Sequence, residues 1–331
     1  MGGVLAELGK KLAEKWLSLL VLPGLLYLGA VVVGWTLGHG RAIDIGRIGQ
    51  QLDTWIHVGV VAPSGLVSLL VAALLASAGI GVAAQALGSL TERVWLAEDW
   101  RSWPWPLRPL ARARTASRAR RWATARAAYQ RRLDAKSERL AADRTCGDGA
   151  GEEDNAASWR AMRRIALEKP DRPTWIGDRI HSVVVRLDRD SQLDLTTIWP
   201  HLWIWMPEGS RAEITTAQES VSRATTLTGW GLLYLVLGCL WWPSLPLAMV
   251  VLGTGWRRAR AAADGYALLV EASARLYAVG LAQAVGLDHS GPLDRRTGFA
   301  LTCLLQGQGH LIPLTDTPPS DSDERDSRRN R

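Results

Sequence analysis

The side chains of this 331-residue chain best suited to nucleophilic or metal chemistry are six histidines, three cysteines and a serine beside a proline. Cys146, Cys239 and Cys303 are far apart and show no C-x-x-C spacing, which indicates neither a disulfide framework nor a zinc site. No histidine pairs with another, or with a cysteine, at metal-ligand spacing. His181 and His201 fall in the most distinctive block of the sequence, but a satisfied or interfacial imidazole explains each more cheaply than a ligand or base. Ala62-Pro63-Ser64-Gly65 sets a serine near an apolar block with no histidine placed to activate it, and a helix start accounts for it. The phosphate loop G-x-x-x-x-G-K-[ST], the dinucleotide fingerprint G-x-G-x-x-G, H-E-x-x-H and G-x-S-x-G are all missing. The sequence thus names no catalytic residue, cofactor or metal, and reads as a non-enzyme. An embedded enzyme would have to work through His181, His201 or Asp178.

The elements carrying these residues are set by how charge is distributed. Hydrophobic residues make up 47% of the chain and charged ones 21%, but they are segregated. Leu17 to Gly38 is uncharged and follows Lys10, Lys11 and Lys15. About 20 such residues cross a hydrocarbon core, so 17–38 is expected as a first transmembrane helix after a cytoplasmic segment 1–16. A cleavable signal has a shorter apolar core and a small-residue cleavage site. After an external loop, 39–63, Pro63 divides the next uncharged block. Trp55 to Ala62 reads as an interfacial lead-in and 64–90 as the second span. Between Arg101 and Arg144 stand 13 basic and three acidic residues, a net +10 that places this side in the cytoplasm. Ala224 to Trp256 is uncharged for 33 residues and holds Trp241-Trp242-Pro243-Ser244-Leu245-Pro246. One helix of that length would be about 50 Å, so a hairpin is expected, 224–242 going out and 244–256 returning. Arg223 before it and Arg257, Arg258 and Arg260 after it put both ends inside. No Asp, Glu, Lys or Arg lies within these spans, which counts against ion-coupled transport. Only five of 39 basic residues are Lys, and 17 Trp stand beside one Phe, a usage expected of a GC-rich bacterial genome.

The cytoplasmic module, 91–223, reads as helical. Trp95, Trp100, Trp103 and Trp105 suggest a juxtamembrane segment hugging the interface. The Ala/Arg-rich stretch Leu107 to Arg144 carries Trp122, Ala125, Tyr129, Leu133 and Leu140 as one apolar stripe on a basic helix. A break is expected at Cys146 to Asp154 and a helix over Ala156 to Leu167. Thr174 is a plausible N-cap for a helix whose apolar face is Ile176, Ile180, Val183, Val184 and Leu187, with Asp178, Arg179 and Arg186 largely off that face. Leu193 to Pro207, Trp-rich and broken by Pro200, is too short to span. An amphipathic helix is expected over 257–287, then a segment 288–331 whose tail after Leu314 lacks apolar periodicity and is expected to be disordered. The pattern Pro173-Thr174-x-x-Gly177-Asp178-x-Ile180, followed by Trp199-Pro200-x-Leu202-Trp203-x-x-x-Pro207 and a Trp-rich hairpin, resembles an uncharacterised family of bacterial multi-pass membrane proteins. The resemblance covers roughly 173 to 287 and implies membrane placement without implying any chemistry.

The expectation is therefore an all-α integral membrane protein of the bacterial inner membrane, with four transmembrane helices, a helical cytoplasmic module and both termini cytoplasmic. It would act as an anchor, scaffold or effector whose cytoplasmic helices bind a protein partner or self-associate. An oligomeric channel lined by the Gly-rich second span is the alternative. Arg118, Arg121, Trp122, Arg126, Trp175, Asp178, Trp199 and Trp203 are the candidate contacts with a partner or with anionic lipid head groups. Trp and Tyr between the arginines, together with membrane tethering, favour lipid over nucleic acid. A solvated helix face that only fixes topology explains the same basic stripe.

Overall fold

The computed structural model describes residues 21–39, 63–141, 149–289 and 291–311. The expected N-terminal segment, the loop at 40–62 and the tail after 311 lie outside the described residues. All regular structure within them is helical: α1 (Leu22–Leu37), α2 (Pro63–Leu96), α3 (Leu107–Ala141), α4 (Gly149–Ile165), α5 (Trp175–Ser191), α6 (Leu195–Trp205), α7 (Glu208–Leu237), α8 (Ser244–Ala284) and α9 (Arg295–Leu305). Most of the expected break around Gly149 to Asp154 is helix, the first turns of α4. Two long helices cross the boundaries drawn from charge. Apolar 224–237 is the second half of α7, and apolar 244–256 is the first part of an unbroken α8 that continues through the expected amphipathic segment.

Among the described residues one helix, Val67–Leu96, is long and apolar enough to cross a membrane. Leu22–Leu37 is apolar but has 16 residues. Four separate transmembrane helices are therefore not supported. The physical reason lies in α7 and α8, where the uncharged segments are continuous with charged helix and neither half is bounded as a span of its own.

The chain forms two compact units, Met1–Ile180 with Ile214–Ala267, and His181–Glu213 with Leu268–Arg331. In the first, α1, α2, the second half of α7 and the start of α8 pack through small residues. Ser77, Gly81, Ala84 and Gly88 recur along one buried face of α2. A Cβ on Gly229 would meet Ala84 O at 2.2 Å, and one on Gly24 would meet Ser77 O at 2.4 Å. Such close backbone approach is how helices associate where no hydrophobic force drives them together. Tyr27 donates to Leu233 O (3.1 Å) and its ring meets Tyr234 edge-on. The opposite faces are apolar and bare, with Leu26, Val67, Leu70, Leu75, Val236, Met249 and Val250 all exposed.

In the second unit, Asp194 caps α6 by accepting from Thr196 N (3.0 Å), and Asp294 caps α9 by accepting from Thr297 N (2.8 Å). Gly298 of α9 lies so close to Ser191 O that a Cβ would sit 1.9 Å from it. Ile198, Leu202 and Leu301 are fully buried there.

Candidate functional site

Helix α2 leaves its last carbonyls without intrahelical donors, as any α-helix does. Remote side chains take two of them up. Thr174 donates its hydroxyl to Trp95 O, and Arg172 Nη1 donates to Leu96 O at 2.8 Å. A cation at a helix C-terminus also interacts favourably with the helix dipole. The chain turns away at Ala97, whose φ of 45° is one that L side chains rarely adopt. Trp100 then donates from Nε1 to Asp171 O at 3.0 Å.

Helix α3 presents Ala111, Thr115 and Trp122 inward. Arg114 and Arg118, one turn apart, reach into the segment between α4 and α5. Arg114 Nε donates to Pro173 O (3.0 Å). Arg118 donates to Ile165 O (3.0 Å), Arg172 O (2.7 Å) and Thr174 O (2.8 Å), and pairs with the Asp178 carboxylate. The second Asp178 oxygen accepts Asp171 N (3.0 Å) and Arg172 N (2.8 Å). With its side chain 6% exposed, Asp178 has exchanged its water for these donors. Burial pushes its carboxyl above the ordinary range, opposed by the Arg118 guanidinium and the two backbone N–H groups. Burial likewise lowers Arg172.

The P-T-x-x-G-D pattern can be read from these contacts. Pro173 and Thr174 give up carbonyls to arginines, and Thr174 caps α5 by accepting Gly177 N (3.1 Å). Gly177 leaves room for the end of α2, since a Cβ there would meet Leu96 O at 2.5 Å. Asp178 closes the ring. Four segments meet in this clasp: the end of α2, the face of α3, the α4–α5 linker and the start of α5.

Of the candidate contacts, Arg118, Trp122 and Asp178 come together and point inward. Trp122 donates to Ala166 O (3.1 Å), with Arg126 over its ring at 4.9 Å. Trp175 is half-buried, with Arg260 stacked on it at 4.2 Å. Arg121 is exposed. Trp199 and Trp203 belong to the second unit, their rings 5.9 Å apart. Asp178 and Arg179 do not lie off the buried face as their spacing suggests. Both are buried, because Arg118 and Asp264 supply the opposite charges.

Spacing also missed a second charged cluster. Glu271 pairs with Arg186 (3.0 Å) and Arg275 (3.2 Å), and Arg275 pairs with Asp190 (2.8 Å). The available signal was two i, i+4 steps, 186/190 and 271/275, inside otherwise apolar stripes. His201 is exposed, and no group of three His, Cys, Asp or Glu able to hold a metal occurs among the described residues.

Neither the family models, the curated proteins nor the solved structures yielded a match to this chain. Within the clasp Asp178 pairs with Arg118, while Arg114 and Arg172 are held by backbone carbonyls.

Proposed function

We propose that this is a bacterial inner-membrane protein that works by association rather than turnover, with helices held rigidly against the membrane as a scaffold. The observation that carries the reading is the two-sided character of α1, α2 and the apolar parts of α7 and α8. Small residues face one another inward, and large aliphatic side chains face outward. Soluble monomers rarely expose apolar patches beyond a few hundred Å², whereas a bilayer is the solvent such faces require. In this reading α2 crosses the membrane, and α1 and the paired apolar parts of α7 and α8 complete a four-segment body. Arg93, Arg223 and Arg257 then mark the cytoplasmic side, where the clasp at the end of α2 lies, and both termini are cytoplasmic.

The small-residue face of α2 is occupied by helix packing, which favours a scaffold over a pore lined by that helix. Partners would be a protein or a second copy meeting the cytoplasmic helices, and anionic lipid. Membranes washed at high pH should retain the protein. The purified particle should sediment as more than one chain or carry a bound protein, and Ile204→Asp with Leu276→Asp, both exposed apolar positions, should abolish that association without releasing the chain from membranes. A monomer with no companion, unchanged by those substitutions, contradicts the scaffold.

A further inference from the structure

Four tryptophans stand in the last turn of the apolar helix α2 and in the segment after it, and they do not behave alike. Trp95 meets the Trp256 ring edge-on at 5.3 Å, Trp100 is buried, and Trp103 packs on the cluster of Ala97, Trp100 and Ala111. Trp105 alone of the four stands in the open, 85% exposed. It is followed by Leu107 and by Leu110, which is 67% exposed. Leu107, Leu110, Arg114, Ser117 and Arg121 recur at three- and four-residue steps and so share one side of α3. Ala111, Thr115 and Trp122 are buried on a different side. The stripe is apolar at its start and basic beyond, with Arg114 and Arg121 exposed, although Arg114 Nε is engaged with Pro173 O.

We propose that this stripe, led by Trp105, docks into the anionic phospholipid head-group layer of the membrane that holds α2. The inference rests on the membrane placement proposed above. Two observations select lipid as the occupant. The stripe is continuous with the membrane helix, because Trp105 lies nine residues past Leu96 and a chain of that length reaches at most about 30 Å. Its chemistry is also that of an interfacial segment. An indole and two leucines enter the boundary while guanidinium groups stay with phosphates. The wide excess of arginine over acidic residues along α3 then serves to hold it flat on the membrane rather than only to orient the chain.

Spin labels test this on the full chain with its three cysteines replaced by serine. Single labels at Trp105→Cys and Leu110→Cys would be read for oxygen against nickel-chelate accessibility. The hosts are nanodiscs of phosphatidylcholine alone or with a third phosphatidylglycerol. A label at Leu75→Cys, on the exposed face of α2, reports membrane placement independently. The proposal predicts immersion at 105 and 110 in the anionic discs and a severalfold loss in neutral ones, with Arg121→Gln reducing immersion in the anionic discs. Labels at 105 and 110 in water in both discs, with 75 in hydrocarbon, would overturn the docking and leave membrane placement intact. Equal shielding in both discs and in lipid-free detergent would overturn it in favour of a protein covering the stripe. Water at 75 as well would overturn both readings.

Discussion

Asp178 is the residue on which the first unit turns, because a carboxylate taken out of water must recover its solvation from fixed donors. Arg118 and the backbone N–H groups of Asp171 and Arg172 supply it. Removing one member of a buried pair leaves the other unmatched and costs about 3 kcal/mol or more, whereas replacing both with apolar groups of similar volume is often near neutral. Asp178→Ala should therefore lower the melting temperature in detergent strongly. Arg118→Met combined with Asp178→Leu should melt closer to the parent than either single change, apart from the carbonyls that Arg118 leaves unbonded. Additive losses in that cycle would contradict the clasp. Gly177→Ala should also destabilise, since the added methyl meets backbone carbonyl rather than a flexible side chain. The cap at Thr174 could be read from the sequence, because capping depends on neighbours in the chain. The burial of Asp178 and Arg179 could not, because it depends on Arg118 and Asp264, each at least 60 positions away.

Helices α2 and α7 are held together by backbone contact rather than by interlocking side chains. Gly229→Ala should force them apart, because its methyl would lie 2.2 Å from Ala84 O, while Gly79→Ala and Gly253→Ala open onto nothing within 4 Å. Thermal melts of the three variants should show a loss at 229 and little change at 79 and 253, and equal behaviour would refute close packing. At this scale the sequence was readable where local chemistry decides, as in the helical periodicity of α3 and α5. Charge marks where an apolar segment stops, which need not be where the helix stops. The arginines after Trp256 look like the end of a span, yet nothing in the backbone stops a helix there and α8 continues to Ala284. Helix propagation needs only an unbroken ladder of backbone bonds, and Ala-rich 257–284 provides it.

Across the whole molecule the two units should respond oppositely to acid. In the second unit Asp190 is held below the ordinary carboxylate range first by its bond from Arg275, and Asp194 by the Thr197 hydroxyl. Groups lowered in this way stabilise the fold above the unfolded carboxyl value of about 4 and lose that contribution as pH falls through their folded values. Asp178 is raised, so its contribution relative to the unfolded chain is present below about 4 and is lost as pH rises through its elevated value. Amide protection factors followed from pH 5 downward should fall first around 187–197 and persist around 172–178. The reverse order would contradict this assignment.

The most direct test of the membrane-bound scaffold uses Cys239, an exposed native cysteine in the turn between α7 and α8. With Cys146 and Cys303 replaced by serine, a membrane-impermeant maleimide applied to intact spheroplasts should label Cys239, and a cysteine placed at exposed Arg131 should be labelled only after lysis. Labelling of Cys239 only after lysis, as at 131, would put the turn on the cytoplasmic side and remove the membrane body on which the account depends.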